Sequence, residues 1–162
     1  SKFDISSANE IDTGWAGIGQ YTDVANPYQY MRFMAAVANG GVSVSPHIVK
    51  SITTPDGVEI RGENRSEERL ISSDSANMLK EYMRNNVIET YGDSSFSGLE
   101  LCAKTGTAEV GEQSTPHSWF VGFCQSADKP YAFVVVAENS GSGLGVASGV
   151  AARVLRAADS VN

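Results

Sequence analysis

The chain has only two cysteines and two histidines in 162 residues, and they do not add up to a metal site. Cys102 and Cys124 form no CxxC pair, and neither has ligand spacing to His47 or His117. No metal and no cofactor is expected. Long hydrophobic runs are missing too: the longest, Tyr131-Ala-Phe-Val-Val-Val-Ala137, is far short of the roughly 20 residues that cross a bilayer. No charged-then-apolar leader opens the sequence, so as it stands the chain reads as soluble, with no membrane segment. Positive charge is scarce as well. Twelve Lys and Arg stand against nineteen Asp and Glu, for a net charge of −7. The bases are scattered singly, so no stripe is available to neutralise phosphates and nucleic acid is not an expected partner.

What remains is the composition of one ordinary globular domain, 41% hydrophobic and 19% charged. Both cysteines read as buried core residues, and neighbouring strands leave them either bridged or free. Asn26-Pro27 is an N-cap followed by proline at the first helical position. Met31, Met34, Ala35 and Ala38 then recur at helical spacing until Asn39-Gly40-Gly41 ends the helix. Val42 to Val44 and His47 to Ile52 read as extended, and Pro55-Asp56-Gly57 turns the chain into Val58 to Arg61, a small hairpin. Residues 62 to 69 have no apolar member and read as a solvated connection, after which Ser73 caps a helix through Met78, Leu79, Tyr82 and Met83.

Glycines and serines from Gly92 to Gly98 precede three predicted strands, Leu101 to Thr107, Ser118 to Cys124 and Tyr131 to Glu138. The last two are apolar at consecutive positions, as strands covered on both faces are. Leu144, Ala147, Ala151, Val154, Leu155 and Ala158 supply a final helix as cover. The fold class is therefore α+β, an antiparallel β-sheet with packed helices.

Within the first of those strands, Lys104-Thr105-Gly106-Thr107 has a composition suited to an anionic, amide-bearing ligand laid along a sheet edge. Lysine gives a fixed positive charge, threonine a hydroxyl for a carboxylate, and glycine leaves the strand backbone open to a ligand. The same residues sit in a longer pattern. Ala103-Lys104-Thr105-Gly106-Thr107-Ala108 precedes His117-Ser-Trp119-Phe120-Val121-Gly122-Phe123. Upstream stand Ile18-Gly19-Gln20, Asn26-Pro27-Tyr-Gln29-Tyr-Met31 and Ala35-Ala-Val-Ala38-Asn39-Gly40-Gly41. In this order the segments resemble the signatures of penicillin-binding protein transpeptidases, and the resemblance runs from about Trp15 to the end. It makes residues 1 to 162 a single partial domain, the C-terminal half of the family's transpeptidase domain. Four departures stand out: Asn26 for threonine, Tyr21 for a common glycine, Ala103 for glycine before the lysine, and Glu109 for glutamine. Of these, Ala103 and Glu109 are expected at the site and bear on substrate preference.

The resemblance implies a chemistry. In the family a serine of a Ser-x-x-Lys box attacks a D-Ala-D-Ala stem peptide, giving an acyl-enzyme that a neighbouring strand's amine resolves as a cross-link. β-Lactams stop at the acyl stage. Carried onto this chain, Lys104 and Thr105 bind the substrate carboxylate, Gly106 completes the strand, and the Thr107 amide is one of two oxyanion donors. The implied partners are the peptidoglycan stem peptide and β-lactam antibiotics, at the extracytoplasmic face of a bacterial membrane to which such proteins are anchored. A homodimer is a further expectation, because the earlier half of the domain normally covers apolar surface here.

The nucleophile is missing. The single Ser-x-x-Lys match, Ser126-Ala127-Asp128-Lys129, lies between two strands with Pro130 after it and reads as a turn. The Ser-x-Asn matches Ser7-Ala8-Asn9, Ser75-Ala76-Asn77 and Ser160-Val161-Asn162 read as a loop, a helix start and a frayed terminus. This chain alone is therefore expected to transfer nothing. A non-catalytic sensor or scaffold module of the cell envelope is the alternative. Gly98-Leu-Glu-Leu-Cys-Ala103-Lys104-Thr105 misses a phosphate-binding loop by one residue and reads as extended, and Gly141-Ser-Gly143-Leu-Gly145 lacks dinucleotide spacing and reads as the start of a helix. Trp119 and Phe120 are expected in the core rather than as a substrate platform, and His117 as a solvated residue beside the cleft.

Overall fold

The computed structural model describes residues 1–61, 66–111 and 114–161. Helix α1 (Glu10–Gly17) opens on a capping box in which the Asn9 side chain takes the Asp12 amide and the Asp12 side chain takes the Asn9 amide. Helix α2 (Pro27–Ala38) has the expected cap: the Asn26 side chain accepts from the Tyr28 and Gln29 amides, with proline in the first turn. Strand β1 (Val42–Val44) follows, and then the expected hairpin, β2 (Ser51–Thr53) against β3 (Glu59–Arg61), in register Ile52 to Ile60.

Two expectations are corrected here. Of the polar stretch 62 to 69, residues 62–65 lie outside the described residues, but Ser66–Arg69 forms a strand, β4, antiparallel to β1. Its pairing comes from the backbone, and Arg69 locks it by donating to the Gly40 carbonyl at 2.7 Å. Helix α3 (Ser73–Asn86) is capped by Ser72 rather than Ser73: the Ser72 hydroxyl accepts from the Ser75 amide, and Ser73 is already inside the first turn. A π-helical turn (Val87–Tyr91) and a 3-10 turn (Asp93–Phe96) then carry the chain to the main sheet.

That sheet consists of β5 (Leu101–Ala108), β6 (His117–Cys124) and β7 (Ala132–Ala137), antiparallel and in that spatial order, and α4 (Val146–Val161) ends the described chain. Because side chains alternate between faces, the register of the strands divides the core in two. Leu101, Ala103, Phe120 and Cys124 point to the α4 side, where they meet Val87, Phe96, Leu99, Ala147, Ala151 and Leu155. Cys102, Val121 and Phe123 point to the other side, against Met34 and Val37 of α2 and Met83 of α3. Cover on both faces explains the unbroken apolar runs of β6 and β7. The two cysteines are free and on opposite faces, and burial pushes each thiol up to about 11.

Phe120 is the centre of the α4-side core. It is fully buried, and the rings of Tyr91, Phe96 and Phe133 lie at 5.7, 5.9 and 5.8 Å from it. Each such pair adds about 0.5–1.5 kcal/mol beyond area burial. Ser118, buried on the same face, ties α4 to the sheet: its hydroxyl donates to the Ser142 carbonyl at 2.8 Å and accepts from the Ala147 amide at 3.2 Å. The Gly141 to Gly145 stretch thus leads into α4, which begins at Val146. Gly143 is pressed against the sheet so closely that a Cβ there would stand 2.5 Å from the Gly106 carbonyl oxygen and 2.8 Å from the Trp119 carbonyl oxygen.

Candidate functional site

Strand β5 is paired on one side only, by β6. Residues of an antiparallel strand present their amide and carbonyl to alternate sides. On β5 the odd-numbered residues face the unpaired edge: the Thr105 amide reaches the Tyr91 hydroxyl, and the Thr107 carbonyl reaches the Gln20 side chain. The ledge expected at positions 104 to 107 is open rather than sealed in the core, since Lys104 and Thr107 are both exposed.

Side chains from elsewhere hold that edge one group at a time. Near its start, Arg84 donates to the Leu101 carbonyl at 3.2 Å while gripping Asp93 at 2.6 and 2.8 Å, and Asn86 donates to the Ala103 carbonyl at 3.5 Å. The Arg84 guanidinium, chiefly through these hydrogen bonds, holds the Asp93 carboxyl below the usual carboxylate range. Further along, the Lys104 ammonium curls onto the Thr105 carbonyl at 2.9 Å. At the far end Gln20 acts as a one-residue strand: its Nε2 donates to the Thr107 carbonyl at 2.9 Å and its Oε1 accepts from the Glu109 amide at 3.2 Å. Between Tyr91 and Gln20 the Thr107 N–H faces the opening with no partner among the described residues. The Thr107 hydroxyl accepts from the Gly143 amide at 3.2 Å, which ties the strand to the start of α4.

A cleft of about 630 Å³ opens against this strand, lined by Lys104, Thr105, Gly106, Thr107, Tyr30 and Trp119 among others. Its wall contains two polar atoms, Asp23 Oδ1 and Trp119 Nε1, buried without a partner among the described residues. Unmet capacity of this kind is rare in structural cores and costs about 1–3 kcal/mol per group. Trp119 is accordingly both packed and cleft-lining: it joins the α2-side core and lies 6.2 Å from the Tyr30 ring, while Phe120, facing the other way, is wholly core. Gly106 is bare partly because Trp119 is there, for a Cβ on it would lie 3.2 Å from the Trp119 Cβ.

Ala103 does not border the cleft; it is fully buried in the α4-side core, where it fits over Gly122. His117 is held rather than merely solvated, its Nδ1 accepting from the Asn139 amide at 3.0 Å, away from the cleft lining. Ser126 to Lys129 is a turn, and the Lys129 ammonium is engaged by Asp159 at 2.7 Å. Of the three Ser-x-Asn matches, Asn9 and Ser75 serve at helix starts, and Ser160 lies in the last turn of α4, with Asn162 outside the described residues. Among the described residues no cluster of His, Cys, Asp and Glu is suited to a metal, and no helix is long and apolar enough to cross a membrane. Two residues of the site escape motif reading altogether, Tyr91 and Asp23; Gln20 was visible only as a letter in a signature.

The edge thus carries the Lys104 ammonium, the Thr105 and Thr107 hydroxyls and the outward Thr107 amide on one strand. The scaffold is α+β, and the chain belongs to a known family: the penicillin binding protein transpeptidase domain matches it over residues 2–157. Among curated relatives it is 30% identical over 143 residues to the peptidoglycan D,D-transpeptidase PbpA of Mycolicibacterium smegmatis, covering 86% of this chain and 29% of the relative. It is 31% identical over 134 residues to penicillin-binding protein H of Bacillus subtilis, covering 74% of this chain and 19% of the relative. Among solved structures, an imipenem acyl-enzyme complex of penicillin-binding protein A from M. tuberculosis superposes with a TM-score of 0.80 at 28% identity, over 94% of this chain and 35% of that one. The chain thus spans about a third or less of the length of these relatives.

Proposed function

We propose that this chain is the C-terminal share of a D,D-transpeptidase domain, residues 1 to 162 forming one partial domain. In this reading it supplies the strand that receives the D-Ala-D-Ala end of a peptidoglycan stem peptide, and β-lactams that mimic it. Lys104 and Thr105 bind the terminal carboxylate, and the Thr107 amide stabilises the oxyanion of the tetrahedral intermediate. The attacking serine, with its own amide as second donor, belongs to a Ser-x-x-Lys segment other than the Ser126 to Lys129 turn, the single such match in this chain. The observation that carries the reading is the open edge itself: a cationic side chain and an outward, unpartnered amide on one strand, at an exposed cleft. Cross-linking takes place outside the cytoplasmic membrane, so the working location is the extracytoplasmic face, with anchoring supplied by another segment.

The test is covalent labelling. Intact-mass measurement after incubation with a fluorescent penicillin is expected to find no adduct on this chain and one adduct on the uninterrupted protein that carries it. An adduct within residues 1 to 162 overturns the assignment of the nucleophile. An uninterrupted protein that stays unlabelled favours the non-catalytic envelope module. Pairing of two copies rests only on exposed apolar residues such as Ile48, Ile52 and Ile60, and a clean monomer in sedimentation velocity refutes it.

A further inference from the structure

Tyr91 has no place in the chemistry described so far, yet it makes the most specific contact at the site. It ends the π-helical turn, a distortion that is rare and recurs at functional sites, and Gly92, with φ of 84°, turns the chain away directly after it. Its ring packs edge-on against the fully buried Phe120, so the phenol is aimed by the core rather than by solvent. The hydroxyl then meets Thr105 twice: it accepts from the Thr105 amide at 3.2 Å and lies 3.2 Å from the Thr105 hydroxyl.

These two contacts favour one direction. A phenol oxygen that accepts the amide proton has its own single proton to give, and the Thr105 hydroxyl is the partner within reach. When the Thr105 oxygen accepts that proton, its own proton is directed away from Tyr91, toward the cleft. The chain from Thr105 N–H through Tyr91 O–H to Thr105 O–H polarises each link, which strengthens the last donor. A lone threonine hydroxyl both donates and accepts, but in this arrangement it is set to donate, which suits a carboxylate, with two charged accepting oxygens, better than a carboxamide, with one neutral accepting oxygen and a donor NH2.

We infer that Tyr91 is a positioning residue that orients the Thr105 hydroxyl as a hydrogen-bond donor and so selects a free carboxylate at the ligand's end. The inference rests on the proposed function for the identity of that ligand. It is tested with the 162-residue chain, titrating N-acetyl-D-Ala-D-Ala and its C-terminal carboxamide while following the Thr105 and Thr107 amides by NMR. Tyr91→Phe keeps the ring against Phe120 and removes only the hydroxyl. It is expected to weaken binding of the free acid about fivefold, the loss of one ordinary hydrogen bond, and to weaken the neutral carboxamide distinctly less. In a Thr105→Val background, where no hydroxyl is left to orient, Tyr91→Phe is expected to have no further effect. Equal weakening of acid and carboxamide, no weakening of the acid, or a full Tyr91→Phe effect in the Thr105→Val background overturns the inference while the proposed function stands. Wild-type chain that binds neither compound removes the proposed function itself, and the inference with it.

Discussion

The two outer strands of the main sheet are edges of opposite character. On β5, the carbonyls of Leu101, Ala103, Thr105 and Thr107 and the amides of Thr105 and Glu109 are met by Arg84, Asn86, Lys104, Gln20 and Tyr91. On β7, Ala132, Val134 and Val136 face outward by the same alternation, and no side chain meets their backbone groups among the described residues. An apolar strand with a bare edge is a template for another strand, and natural proteins normally cover or charge such an edge. An edge dressed by five separate side chains is closed to a strand, while the outward Thr107 amide stays open beside the cleft. Preorganisation of that kind is what an oxyanion site requires.

The sharpest way to break the contrast is proline, which removes an amide donor and is tolerated only where that donor has no ladder partner. On β7 the prediction is a large difference between neighbours. Val135 faces β6 across from Phe120, so Val135→Pro should cost about 3 kcal/mol or more. Val136→Pro, at an outward amide, should cost at least about 2 kcal/mol less. Chemical denaturation of the two variants measures the gap; equal losses would mean that the β7 edge is not bare.

A smaller effect is expected where β5 is anchored. The Arg84 and Asp93 pair is bidentate, but its carboxylate is nearly half exposed, so solvent and salt screen it. Because the Asp93 carboxyl is held below its ordinary value, chiefly by hydrogen bonds from Arg84, its contribution is present above the unfolded-state value and fades as pH falls through the folded one. Asp93→Asn should therefore destabilise the chain by about 1 kcal/mol at neutral pH. The difference from wild type should shrink as pH falls below the ordinary carboxylate range and vanish once the folded-state carboxyl is protonated. Thermal melts across that range, at low and high salt, check both the sign and the screening.

How much of this was legible depended on where each residue's partner lay. The α2 cap and the three long strands were readable because caps and apolar runs are local signals. Strand β4 was not, since Ser-Glu-Glu-Arg carries no strand pattern and is extended only because β1 lies beside it. Helix α1 was hidden for the opposite reason: Ile11 and Trp15 are exposed, so its apolar residues mark no core face. At the site, Lys104 and Thr107 announced themselves by motif. Gln20 and Tyr91 act on backbone groups 87 and 14 residues away, and no periodicity records a contact of that range.

The smallest predicted effect has the opposite sign and bears on the same dressed edge. Gln20 is presented to β5 by a loop in which Gly19 has φ of 81° and Tyr21 has φ of 67°. The first is free of strain, but the second places a Cβ in the left-handed region, at about 1–2 kcal/mol. Glycine is common at that position in the family, which accords with the backbone the loop requires. Tyr21→Gly relieves the strain and gives back part of it as lost unfolded-state order, so a net gain of about 0.5–1 kcal/mol is expected. If Tyr21 serves only as loop, the Glu109 amide should exchange at the same rate in the variant as in wild type, because Gln20 stays in place. Faster exchange there, with stability unchanged or raised, would mean that the exposed Tyr21 ring helps to hold Gln20 against β5, and that the edge is dressed by two layers of side chains rather than one.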